Sequence, residues 1–204
     1  MLNLRAAVSH VTDPLGSWLL RHGVTANLVT VVGTAGTVTA ALWFFPRGSL
    51  FWGGVVVTVF VLFDTLDGAV ARAAGGGDAF GGVLDSVCDR IADGALFAAI
   101  VWWCFGVGSN QPLAVAALIC LVSAQVVSYV KARAEAAGLT ATAGLVERPE
   151  RLIIMLLGIG LHGLGVPLAA DVALWLLAVL SVVTVVQRMA AVYRSAQARQ
   201  QGAG

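Results

Sequence analysis

Charge is what this sequence has least of. Only 11% of its 204 residues are Asp, Glu, Lys or Arg, against about 25% in an ordinary soluble domain. With 59% hydrophobic residues and a mean hydropathy of +0.90, a soluble globular fold is excluded. The formal net charge is +1, and no nucleic-acid partner is expected. Cysteine is scarce too. Cys88, Cys104 and Cys120 are odd in number, lie in apolar stretches and form no CxxC pair, which argues against a disulfide framework or a thiolate metal centre. They read as small core or lipid-facing residues. Between Met1 and Arg21 there is neither an uninterrupted apolar core nor a small-residue cleavage site, so a removable signal peptide is not expected.

What is present is a series of long apolar runs, close to the roughly 20 residues that a helix needs to cross a bilayer. Hydropathy and breakers place six, at 27–45, 50–71, 80–106, 112–135, 150–168 and 171–193. All should be helices, because a lone strand cannot satisfy its backbone polar groups in lipid. Ahead of them Leu2, Leu4, Val8, Val11, Leu15, Trp18 and Leu19 recur at helical spacing, interrupted by Arg5, His10, Asp13 and Arg21. This pattern suggests an amphipathic interfacial segment over 1–24, with Asp13-Pro14 as a candidate break. The expected fold is an all-α membrane protein. It forms one domain over 1–204, with a six-helix core over 27–193 and a short flexible tail over 196–204.

The connection at 46–49 holds Arg47, and those near 107–111 and 168–171 hold no basic residue. The opposite side collects Arg5, Arg21, Arg72, Lys131, Arg133, Arg148, Arg151, Arg188, Arg194 and Arg199. The positive-inside rule puts both termini in the cytoplasm, as an even number of spans requires.

Against this apolar background the second and third spans carry Asp64, Asp67, Asp85, Asp89 and Asp93. Each costs about 2.5–3.5 kcal/mol at a helix centre. Spacings of three and four put each group on one helix face, and the short connection makes the two helices antiparallel neighbours. Clustered carboxylates need a counter-charge. Hard oxygen donors without His or Cys favour Mg²⁺ or Mn²⁺; the plainer alternative is structural ion pairing, Asp93 with Arg90 or Asp67 with Arg72. Gly75, Gly76 and Gly77 form the turn between the helices, and a purely structural role suffices for them.

Read together, these residues run Asp64-Thr-Leu-Asp67-Gly68-Ala-Val-Ala71-Arg72, then Gly81, Asp85 and Asp89. The pattern resembles the CDP-alcohol phosphotransferase signature, D-x2-D-G-x2-A-R-x8-G-x3-D-x3-D, at every fixed position. The resemblance implies that Asp64, Asp67 and Asp85 ligate two metal ions, with Asp89 at the edge of the metal site and acting as general base. A carboxylate within hydrogen-bond reach can take the proton of an attacking hydroxyl. Gly68, Ala71 and Arg72 would face the CDP-lipid, the guanidinium on its phosphates; a snorkelling helix-end arginine is the alternative for Arg72. Thr25-Ala26-Asn27-Leu28-Val29-Thr30 resembles the family's T-P-N-x-x-T entry to the first span, with Ala26 in place of the usual proline. Asn27, Leu28, Val29 and Thr30 are therefore expected beside the cytidine diphosphate. Asp78 is either a further nucleotide contact or a solvated loop residue.

The signature names a reaction class and leaves the alcohol open. Lys131, Arg148, Arg151 and Arg188 lie at expected cytoplasmic helix ends and would suit an acceptor that carries a phosphate, although topology alone also accounts for them. Ser128–Glu135 and Glu147–Arg151 are similar to the corresponding segments of actinobacterial phosphatidylinositol phosphate synthases, a branch of the family. The resemblance thus implies transfer of a phosphatidyl group from CDP-diacylglycerol to inositol 1-phosphate, in a homodimer at the cell membrane with its active site facing the cytoplasm. Glycerol 3-phosphate is the alternative acceptor. A small cation transporter is the alternative from another class, but it predicts a polar path across the whole bilayer, and the charges here gather on one side. Gly33, Gly36, Gly158, Gly160, Gly163 and Gly165 are candidates for close helix packing within or between chains.

Overall fold

Eight α-helices and one short 3-10 turn account for the ordered elements of the computed structural model, which describes residues 2–201, with side chains from Thr12 onward. The helices are α1 (Leu2–Arg21), α2 (Ala26–Phe44), α3 (Leu50–Asp64), α4 (Leu66–Ala73), α5 (Ala79–Phe105), α6 (Gln111–Ala136), α7 (Arg148–Gly163) and α8 (Ala169–Gln201). No strand occurs among the described residues. The expected helical character holds throughout.

Local chemistry sets many of the boundaries. Thr25 Oγ1 accepts the Leu28 amide at 3.3 Å, so α2 starts at Ala26 without the proline usual there. Asn110 caps α6 through Leu113 N, and Glu147 and Glu150 form a reciprocal capping box at the start of α7. Past α7, Gly165 adopts φ 88° and Pro167 follows, so the helix ends at Gly163 rather than continuing towards 168. The helix expected over 50–71 is broken at Thr65, whose hydroxyl donates to Leu62 O at 2.6 Å. Such back-bonding competes with the helical ladder. By contrast, Pro14 does not interrupt α1. Packing of Gly16 and the leucines that follow it holds the helix through the proline.

Among the described residues, four stretches are long and apolar enough to cross a membrane: Ala26–Arg47, Leu50–Ala73, Gln111–Ala136 and Ala169–Gln201. The 27-residue α5 has the length, about 40 Å at 1.5 Å per residue, but its first half carries Asp85, Asp89, Arg90 and Asp93. The 16 residues of α7 reach only about 24 Å.

The chain packs as two compact units whose boundaries fall inside helices rather than in linkers. The first runs to Trp43 and resumes at Val55–Leu96. Here α1 lies along α4, with Gly16 against the Ala69 backbone, and Leu19 and Leu20 close on a core of Val29, Leu66 and Val70. Gly33 and Gly36 bring α2 against Asp64 and Phe60. The second unit comprises Phe44–Gly54 and the chain from Phe97. There α6 and α7 pack along α8, Gly158 meets Ala173, and Asn110 Nδ2 donates to Asp171 Oδ1 at 2.9 Å. Gly160 and Gly165 have nothing within 4 Å of an added Cβ. All three cysteines are free and buried, as expected.

Within the stretch from Ala196, α8 continues to Gln201. Arg199 Nη1 donates to Ala137 O at 2.9 Å, and Ser195 Oγ accepts the Thr140 amide at 3.1 Å. Residues 202–204 of that stretch, and the side chains from Met1 to Val11 that define the interfacial pattern, lie outside the described set.

A Cβ at Gly163 would collide with the Phe51 amide nitrogen, and backbone cannot step aside as a side chain end can. Gly163→Ala should therefore destabilise the protein by about 1–3 kcal/mol. Gly160→Ala, in open space on the same helix, should be neutral or stabilising by about 0.5–1 kcal/mol. Thermal unfolding of both variants in detergent checks the contrast.

Candidate active site

The break at Thr65 turns the chain so that Asp64 closes α3 while Asp67 sits in the first turn of α4, where a carboxylate also suits the helix dipole. Asp85 and Asp89 lie one turn apart on α5. Ligand oxygens of Asp64, Asp85 and Asp89 come within 4.8 Å of one another, with the Asp64 side chain buried and those of Asp85 and Asp89 half-buried. This donor set fits a hard divalent cation: three carboxylates, converging from two helices, with no soft ligand in the group.

Asp67 faces differently. Its Oδ2 accepts the Thr30 hydroxyl at 2.8 Å and its Oδ1 accepts the Gly68 amide, so it is oriented from α2 and from its own helix rather than drawn into the trio. Thr30 Oγ1 also lies 3.1 Å from Ala26 O, so its single proton is shared between the two acceptors. Gly33 supplies the room beside Asp64; a Cβ there would stand 2.9 Å from Asp64 Oδ1. Asp93 is fully buried, and Arg90 Nη2 lies 3.8 Å from it and 3.7 Å from Asp89. The Asp93–Arg90 ion pair considered from sequence is thus present. No Asp67–Arg72 pair forms: Arg72 Nη2 reaches Asp13 Oδ1 at 2.8 Å instead.

The remaining signature positions cluster in the same unit. Arg72 Nη1 lies 3.4 Å from where a Gly68 Cβ would be, and Ala71 is half-buried on the same helix. Gly75 and Gly76 take φ values of 93° and 124°, which supports the structural reading of that turn. Asp78 Oδ1 accepts the Gly81 amide at 2.5 Å and so caps α5. Asn27 and Asp78 meet over Gly81, where a Cβ would lie 3.0 Å and 2.8 Å from their Oδ1 atoms. Leu28 is exposed, whereas the Val29 side chain is committed to the core.

In the second unit Arg151 and Arg188 are buried, Arg148 is half-buried and Lys131 is exposed beside Glu135. Arg188 bonds Ala143 O through Nε and Val127 O through Nη1, each at 3.0 Å, with Glu147 Oε1 3.7 Å from Nη2. The sequence did not reveal Asp13 as the partner of Arg72 or Glu147 as that of Arg188. Asp13 registers there only as a polar interruption in an amphipathic pattern, and nothing in spacing ties it to a residue 59 positions away.

Comparison with known proteins bears on this geometry. The family described as CDP-alcohol phosphatidyltransferase matches residues 23–196, which include the whole signature. The phosphatidylinositol phosphate synthase of Mycobacteroides abscessus is 58% identical over 193 residues, 94% of this chain and 87% of that protein. That of Mycobacterium tuberculosis is 53% identical over 194 residues, covering 94% and 89%. The crystal structure of the M. tuberculosis enzyme with CDP-DAG bound matches with a TM-score of 0.88 at 52% identity, over 91% of this chain and 95% of that one. Its complex with manganese and citrate matches with a TM-score of 0.87 at 53% identity, over 90% of each chain. With its signature complete, its acidic trio assembled and its length matched almost end to end, the chain belongs to the CDP-alcohol phosphatidyltransferase family.

Proposed function

We propose that this chain is a phosphatidylinositol phosphate synthase, which transfers the phosphatidyl group of CDP-diacylglycerol to inositol 1-phosphate and releases CMP. The observation that carries this reading is the convergence of Asp64, Asp85 and Asp89 in a chain 58% identical, over nearly its whole length, to a protein of that activity. Asp64, Asp67, Asp85 and Asp89 would together hold two divalent ions, Mg²⁺ or Mn²⁺; the manganese complex of the M. tuberculosis relative supports the class of metal. When bound, such ions neutralise charge on the diphosphate and on the departing CMP.

The chain's own residues do the rest. Asp89 accepts the proton of the inositol phosphate hydroxyl as that oxygen attacks the phosphorus bonded to the diacylglycerol oxygen. The bond from this phosphorus to the bridging oxygen of CMP breaks, and CMP leaves with the electron pair. Arg90, anchored by the buried Asp93, holds positive charge beside Asp89. Thr30 fixes the direction of Asp67, and Gly33 leaves Asp64 its place. Arg72 over Gly68 takes the diphosphate, with Ala71 beside it. Asn27 and Asp78 meet the nucleotide, and Leu28, Val29 and Thr30 form the adjoining wall. Lys131, Arg148, Arg151 and Arg188 bind the acceptor's phosphate through charge-assisted hydrogen bonds. The protein is a multi-pass membrane protein. Six spans, an interfacial α1, cytoplasmic termini and active site, and a homodimer complete the reading.

Purified protein in detergent with CDP-diacylglycerol and Mg²⁺ should release CMP with inositol 1-phosphate and not with free inositol or serine. Release with glycerol 3-phosphate alone would keep the reaction class and replace the acceptor. Asp89→Asn should bind CDP-diacylglycerol normally while turnover falls by about 10²–10⁴-fold; single-turnover assays beside equilibrium binding separate the two effects. Gly33→Ala, which crowds Asp64, should raise the Mg²⁺ concentration giving half-maximal activity, read from a metal titration at saturating substrates.

A further inference from the structure

The guanidinium of Arg72 stands between two different surroundings. Its Nη1 edge lies over Gly68, and its Nη2 donates to Asp13 Oδ1 at 2.8 Å. Asp13 belongs to α1, and that helix is fixed against α4 three residues further on. There Gly16 leaves room for the Ala69 backbone, whose carbonyl carbon would be 2.7 Å from a Cβ. Packing therefore sets the distance between the two backbones that carry this pair. Both side chains remain largely in solvent, 58% and 51% exposed. A pair so placed shifts an equilibrium by less than about fivefold, whereas Arg–phosphate contacts are charge-assisted and often bidentate. The carboxylate thus holds the cation by a weak contact that an anionic ligand can replace.

We propose that Asp13 is a positioning residue of the CDP-lipid site that competes for Arg72. It holds the guanidinium over Gly68 in the free protein and gives up Nη2 to the diphosphate of the arriving lipid. This rests on the reading that Arg72 meets that diphosphate. Binding of the diphosphate must first break this contact, so the net effect of Asp13 is to weaken CDP-lipid binding. Through this exchange α1 takes part in substrate binding, beyond packing on α4.

The test uses the full chain in detergent, with CDP-diacylglycerol varied at saturating inositol 1-phosphate and Mg²⁺, and with equilibrium binding of CDP-diacylglycerol measured alongside. Asp13→Asn should lower the KM and Kd for CDP-diacylglycerol by about two- to fivefold, with the KM for inositol 1-phosphate and the thermal midpoint in place. Asp13→Glu should restore the wild-type values. In an Arg72→Gln background, Asp13→Asn should change nothing. An unchanged or raised Kd in Asp13→Asn, or the same drop without Arg72, overturns the competition. Unaltered binding in Arg72→Gln alone overturns instead the placement of Arg72 on the diphosphate.

Discussion

Asp64, Asp85 and Asp89 bring their oxygens within 4.8 Å of one another on otherwise apolar helices. Charges in such surroundings are costly, and like charges at this distance repel, so the arrangement requires compensation. Much of the local geometry of the first unit serves that need. The helix break at Thr65 separates Asp64 from Asp67, so that the two carboxylates need not share one rigid face. A threonine on α2 and a backbone amide satisfy Asp67. The buried Asp93 is answered by an arginine one turn earlier, which also lies near Asp89.

Small residues are the second means by which this is achieved. Without a side chain at Gly33, α2 can approach the helix end that carries Asp64; without one at Gly81, Asn27 and Asp78 can meet over the start of α5. In a membrane setting, where apolar burial gives helices little reason to associate, such close approach is a main source of packing. Glycine here serves the site and the fold together.

The helices and the acidic signature are legible in the sequence, because hydropathy and spacing are local and each intramembrane aspartate stands out against its neighbours. The break at Thr65 is less so, since it depends on a hydroxyl choosing a carbonyl three residues back over the helical ladder. Pro14 misleads in the opposite direction: a strong local breaker is overridden by packing at Gly16, Leu19 and Leu20. Partners far apart in sequence, such as Asp13 with Arg72 or Glu147 with Arg188, are set by tertiary structure and leave no periodic trace. The contacts at the end of α8 are equally invisible in the sequence. Gln, Ala and Gly give no periodic signal there, while Arg199 and Ser195 reach the stretch after α6.

Those contacts have a practical consequence. Ser195 and Arg199 grip the stretch just after α6 at Thr140 and Ala137, and Arg188 grips the same connection at Ala143. The last turns of α8 thus act as a splint for the loop that leads into the capping box of α7. Trimming the chain before Ser195 to aid crystallisation would remove two of the ties that brace this loop, so the C-terminal helix end is a poor place to shorten the protein.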